Sequence, residues 1–260
     1  MLDQTNRAFA RARARRAEWE RTWRDCYDYT IPERGHGLGT ARSPAARAER
    51  LFDGTAADAV EQLAASLLAE LMPPWSQWFG LRPGHDVLPA ERGPLAEALD
   101  SVVERVHGHL DRSGFAIEMH QCLLDLATIG TATLRFVEAP PGAPSAFEFQ
   151  AVPMAEIYLE ADPAGRVRQQ FRRTAMPLAA VRRAYPGAAL PPELTEGEDG
   201  HAERTVEVVE SLQTAADGIG YSAFIPEAAG SAGLVRLAEG RFERSPLITF
   251  RWLKAAGETY

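Results

Sequence analysis

The chain has 260 residues, 45% hydrophobic and 25% charged, with a formal net charge of −8. That balance excludes a disordered chain, and no run approaches the roughly 18 apolar residues of a membrane-spanning helix. The charge is uneven: residues 1–50 carry 11 arginines against 7 acids, and the remainder 17 basic residues against 29 acids, so the acidic body makes a poor nonspecific binder of nucleic acid.

The start, MLDQTNRAFARARARR, has no apolar core of a signal peptide, and Asp3, Glu18 and Glu20 argue against a transit peptide. Residues 3–29 read as one helix. Phe9, Ala12, Arg16, Trp19, Trp23 and Cys26 recur at spacings that make a packing seam with one arginine in it. Arg11, Arg13 and Arg15 then read as a solvated basic face, with phosphate contact the competing reading. Cys26 and Cys122 are far apart and each lies in a helical pattern, which suits two buried thiols in a reducing compartment. Ile31 to Pro44 reads as a loop, and its Gly37-Leu38-Gly39 lacks the strand and completed pattern of a phosphate-binding turn.

The stretch RLFDGTAADAVEQLAASLLAELMPPWSQWFGL predicts a second helix. Thr55 is positioned to cap it, with Asp58 completing a box-like start, and Val60, Leu63, Leu67 and Leu71 define its apolar face. Pro73 and Pro74 stop it because neither can donate the next hydrogen bond. Trp75, Trp78 and Phe79 follow. They suit either a plug under the helix end or an anchor for a neighbouring subunit, and both readings stay open. Pro94 is expected to open a third helix with Leu95, Leu99, Val102, Val106 and Leu110 on one face. After the turn Ser113-Gly114, a fourth carries Phe115, Met119, Cys122, Leu126 and Ile129. His107 and His109 are two apart on a helix and point in different directions, and His120 adds no metal-ligand spacing.

From Gly130 the period switches to that of strands. TATLRFVE and FEFQAVP form one expected pair, and IYLEA and RVRQQFRRT another across the turn Asp162 to Gly165. A short helix near Pro177 follows, then the segment 186–203, which is polar and proline-rich and expected to pack poorly, so that proteolysis cuts it first. TVEVVESLQT, YSAFIPE, GLVRLAE and SPLITFRW complete the strands. The fold class is α+β: about four helices over residues 1–129 and a mostly antiparallel sheet region over 130–260. No nucleophile elbow, zinc spacing or cofactor fingerprint is present, so no catalytic, metal or cofactor residue is assigned.

Four stretches in order resemble one family: FDGTA (Phe52, Asp53, Gly54, Thr55), the PPxxxWF-like helix end (Pro73, Pro74, Trp78, Phe79), the junction Asp125 to Thr133, and WLKAAGETY with Trp252, Gly257 and Glu258. The chain is similar over nearly its whole length to the head-to-tail connecting, or portal, proteins of short-tailed bacteriophages. The resemblance implies the outer wing of a ring subunit at one capsid vertex, a conduit for double-stranded DNA during packaging and ejection. It implies a dodecameric ring of the full-length protein, with major capsid or scaffolding protein, terminase large subunit and tail adaptors as partners. The expected location is the virion, reached by assembly in the host cytoplasm, with no membrane, no cofactor and no enzymatic activity. Stem, clip and crown are expected beyond this chain, which is then a fragment, an incomplete gene or a degenerate prophage remnant and self-associates weakly by itself. FDGTA is implied to be a structural cap, so Asp53, Thr55, Trp75, Trp78, Phe79 and Trp252 are the structural or interface candidates. The alternative is a DNA-binding module using Arg11, Arg13 and Arg15.

Overall fold

The computed structural model describes residues 2–35, 38, 52–195, 205–226, 233–253 and 259–260. Helices dominate before residue 130 and strands after it, giving the expected α+β class. Compactness divides the chain differently from composition. One unit comprises residues 1–50, 153–246 and 253–260, and the other residues 51–152 and 247–252. Each contains helix and sheet.

In the first unit, the helix α1 (Leu2–Thr30) accompanies an antiparallel sheet of five strands in the order β3-β4-β5-β6-β7. The strands are β3 (Ile157–Ala161), β4 (Val167–Pro177), β5 (Thr205–Ala215), β6 (Gly218–Ile225) and β7 (Val235–Phe242). Period-2 alternation gives this sheet two apolar faces. Phe171, Val209 and Phe224 pack with Tyr158 against Ala8, Phe9 and Ala12 of α1. The alternate residues Val206, Val208, Ala223, Ile225 and Leu237 form a second core with Val181 of the short helix Leu178–Ala184. The segment 186–203, expected to pack poorly, is described as far as residue 195. There Leu194 is buried in that second core, with Ala188 and Leu190 against it; residues 196–203 lie outside the described residues.

The turn Asp162 to Gly165 forms as its residues predict. The Asp162 carboxylate accepts the Arg166 N–H at 2.9 Å, and Gly165 adopts φ 71°, a left-handed value that costs glycine little. The register of β3 against β4 slips between Glu160 and Ala161. Gly218, at φ 127°, begins β6 where an added Cβ would come within 2.8 Å of the Phe242 carbonyl.

In the second unit, helices α2 (Thr55–Leu71), α3 (Pro89–Arg112) and α4 (Phe115–Ile129) accompany a three-stranded sheet in the order β2-β1-β8. Its strands are β1 (Thr131–Glu138), β2 (Phe147–Val152) and β8 (Leu247–Arg251), all antiparallel. The core is Cys122, Ala132 and Leu134, with Phe115, Met119, Leu126, Phe149 and Phe250 packed around it. Gly114 and Gly130, at φ 72° and 76°, bracket α4 as left-handed residues, and Gly130 donates its N–H to the Leu126 carbonyl.

Three local expectations are corrected. The cap of α2 is Asp53, not Thr55: its Oδ1 accepts the Thr55 N–H at 2.8 Å and the Thr55 hydroxyl at 2.6 Å, while Gly54 holds the N-cap position. These two bonds hold the Asp53 carboxyl below its ordinary pKa. Helix α3 starts at Pro89, and Pro94 lies inside it. The Arg92 guanidinium folds back onto the carbonyls of Val87 and His85 at 3.0 and 3.2 Å, supporting that earlier start. Of the two thiols, Cys122 is buried but Cys26 only half-buried.

Candidate assembly surfaces

The seam of α1 is where its spacing puts it, and its one arginine is its strongest tie. Arg16 is 1% exposed, between Ala12 and Trp23 on the inner face. Nη1 donates to the carbonyls of Met154, Ala155 and Ile157 at 3.2, 2.7 and 2.9 Å. Nε and Nη2 both reach the Glu20 carboxylate, and Nη2 also donates to the Tyr158 hydroxyl. The guanidinium carbon lies 3.6 Å from the centre of the Tyr158 ring. A planar fork of five donors is thereby matched by oxygens, which is what makes a buried cation tolerable.

Tyr260 fills the neighbouring space. Its ring meets Trp23 edge-on at 5.1 Å and its phenol oxygen accepts the Leu159 N–H at 2.9 Å. Burial pushes its pKa up to about 12. Burial likewise raises Tyr221 and Tyr185, with the nearby Glu210 carboxylate adding to it in both.

The outer face of α1 carries the remaining arginines. Arg11 and Arg15 both pair with Glu160 Oε1, at 3.4 and 3.2 Å, so two of the three DNA-contact candidates have a partner within the fold. Arg13 is exposed, as are Arg7, Ala10, Ala14 and Arg21.

In the second unit the aromatic stretch after α2 splits. Trp78 and Phe79 are half-buried, meeting edge-on at 4.9 Å. Trp78 stacks parallel to Phe115 at 6.0 Å, and Phe79 lies flat on the His107 imidazole at 4.2 Å. Trp75 is 76% exposed. The plug therefore consists of two rings, and the third stands in solvent. Trp252 is half-exposed, with its backbone N–H on the Gly130 carbonyl at 2.9 Å.

The three histidines go separate ways. His107 Nδ1 faces the Val103 carbonyl at 3.0 Å, His109 Nδ1 accepts the Ala146 N–H, and His120 lies 3.5 Å from Glu61. His109 belongs to a tie between α3 and the loop before β2, where Ser145 donates to the His109 carbonyl and Arg112 to that of Pro144.

Helices α2 and α3 expose much of the apolar surface expected inside. On α2 only Ala64 is buried; Val60 and Leu67 are half-buried, and Leu63 and Leu71 are exposed. On α3 the buried residues are Val103 and His107, with Leu99, Val106 and Leu110 half-buried, whereas Leu95 and Val102 are exposed. The inward face of α3 is thus rotated toward Val103, and Leu88, Leu95 and Val102, seven residues apart, form an outward ridge. Sequence spacing found both stripes but not which edge of each stays wet. Neither Arg16's carbonyl partners nor the buried His107 under Phe79 had a signal in the sequence beyond apolar periodicity.

A family model described as bacteriophage head to tail connecting protein matches residues 2–260. No curated protein matches the chain.

Proposed function

Since this chain belongs to the bacteriophage head to tail connecting proteins, we propose that it is a structural subunit of the portal ring at one capsid vertex, corresponding to the wing of that ring. The ring, of about a dozen copies, surrounds the double-stranded DNA that passes during packaging and ejection. Capsid or scaffolding protein, terminase large subunit and tail adaptors are its partners, and assembly takes place in the host cytoplasm. The observation that carries this reading beyond the family is the exposed apolar side chains of α2, of α3 and of the residues next to their ends, with Leu71, Leu88 and Trp75 each more than half exposed. Large apolar groups left in solvent mark places that a partner covers. Trp75 serves as a subunit anchor, whereas Trp78 and Phe79 support it from within the unit. Trp252 offers a second exposed indole.

The DNA-binding alternative loses two of its three arginines to Glu160. Gold-labelled antibody against the chain, applied to particles of the phage that encodes it, tests the proposal. Label at a single vertex per capsid is the expected result. Label spread over the shell, or absent from particles, overturns it.

A further inference from the structure

The core under α1 ends before the helix does. Ala8, Phe9 and Ala12 meet Phe171, Val209 and Phe224, but the row of the sheet beyond Phe171, toward the turn Asp162 to Gly165, is polar. Glu160, Gln169 and Gln213 are register partners in β3, β4 and β5, so they stand side by side on one face. With Gln4, Thr5 and Arg11 of α1 they line a cleft of about 370 Å³, within the range of ordinary ligand sites, about 300–1,000 Å³. Gln169 is buried in its floor and fixed there by donating its side-chain N–H to the Ser211 hydroxyl at 2.9 Å.

Arg168 lines the same cleft. Strict alternation would send Arg168 and Gln169 to opposite faces. The register slip changes that: Gln169 lies opposite Glu160 and Val167 opposite Ala161, so Arg168 is an extra residue in β4. Bulges of this kind re-aim a side chain, and they concentrate beside functional sites.

The cleft is positive within an acidic chain. Arg11 and Arg15 share one oxygen of Glu160, at 3.4 and 3.2 Å, and its other oxygen is buried. Asp162 has its pKa lowered, chiefly by the Arg166 N–H that its carboxylate accepts at 2.9 Å and further by the charges of Arg166 and Arg168. Among the described residues Arg168 forms no ion pair. Arg11, Arg15, Arg166 and Arg168 therefore stand against two acids, Glu160 and Asp162, while Asp3 is offset by Arg7 four residues on.

We propose that this cleft binds an acidic segment of a partner protein, with a Glu or Asp carboxylate on the free guanidinium of Arg168 and the glutamines on the backbone beside it. A carboxylate meets the planar guanidinium in two parallel bonds. Gln4 and Gln213 each offer a donor and an acceptor, which suits a peptide backbone better than a phosphodiester, which only accepts. Membership of a family of connecting proteins favours a protein as the source of the carboxylate. The inference goes beyond the ring reading and does not depend on it.

Fluorescence anisotropy with labelled pentaglutamate tests the site in the full chain. Pentaglutamate is expected to bind at least about tenfold more tightly than pentaglutamine, and Arg168→Gln should remove that gain, because a hydrogen bond between charged groups is worth about tenfold or more. Arg166→Gln removes the same charge two residues away, outside the lining, and should weaken binding by less than about threefold. Both side chains are exposed, so neither change disturbs the core. Equal losses in the two variants would reduce the effect to bulk charge and overturn the proposal, as would equal binding of the two peptides. Tighter, Arg168-dependent binding of a short DNA duplex would make the ligand a phosphodiester and overturn it too.

Discussion

Helix α1 has one leucine in 29 residues and buries seven side chains, whereas α2 has four leucines in 17 and buries only Ala64. Apolar content does not account for the difference; what each helix finds to lie on does. Helix α1 covers one face of a five-stranded sheet whose phenylalanines and Tyr158 rise to meet Phe9. Helix α2 rests mainly on α4 within its unit, where a small residue, Ala64, lets the two backbones approach and turns its larger neighbours aside. One unit is closed upon itself on both faces of its sheet. The other keeps apolar side chains in reserve.

The sharpest way to break this contrast is at Arg16. Arg16→Ala leaves three buried carbonyls and the Glu20 carboxylate without their donor, and is expected to cost about 3–5 kcal/mol. Urea unfolding of the variant measures the loss. Arg16→Lys should recover little of it, because a point charge cannot replace the planar fork; a loss below about 1 kcal/mol in Arg16→Ala would mean that the closed unit does not depend on this tie.

A second test uses alkali. Tyr260 is raised to about 12 by burial, so above pH 10 the unfolded chain loses its phenolic proton before the folded one does. Its share of stability is intact below pH 10 and falls as pH rises through about 12, by about 2–3 kcal/mol in all. Tyr221, Tyr185 and Tyr158, also raised chiefly by burial, steepen the fall. Tyr260→Phe should be less stable than the native chain at pH 8, through loss of the acceptor for the Leu159 N–H, and close that gap by pH 12. Parallel melts with the same pH dependence would show that the phenol ionises as freely in the folded state.

The smallest effect is expected in the other unit. Leu63→Ser and Leu95→Ser remove exposed side chains and should change unfolding stability by less than about 0.5 kcal/mol. Sedimentation of the same variants should show weakened self-association. A stability loss of about 2 kcal/mol or more would instead place these leucines in a core of the single chain.

Much of the closed unit was legible because its signals are local and redundant. The spacing of Phe9, Ala12, Arg16 and Trp23 marks a face that a long helix can bury only one way, and Asp162 to Gly165 can hardly be other than a turn. The errors concern single positions. Asp53 rather than Thr55 caps α2 because its carboxylate accepts the N–H of Thr55, the first helical residue, and engages the Thr55 hydroxyl as well. Pro89 rather than Pro94 opens α3 because Arg92 satisfies carbonyls ahead of it. The outward turn of Leu95 was not legible, since Leu95, Leu99 and Val103 form one broad stripe and only the packed neighbours decide which third is dry. The junction of β8 with β1 depends on a pairing between distant segments, for which neither strand carries a local mark.

That pairing governs the order in which the molecule can be made. Leu134 lies opposite Ile248, and the chain between them builds the whole five-stranded sheet. A growing polypeptide therefore finishes the hairpin β1–β2 early and holds one edge of β1 open until β8 has been synthesised. Unpaired edges recruit other strands, and closing so long an excursion is slow unless something shortens it. Folding of the intervening sheet does so: once β3 to β7 are compact, the span from Val152 to Leu247 is no longer a flexible loop but a folded insert. Completion of the unit that holds α2 and α3 thus waits on a strand made after the five-stranded sheet, which delays its exposure to neighbours until that sheet is in place.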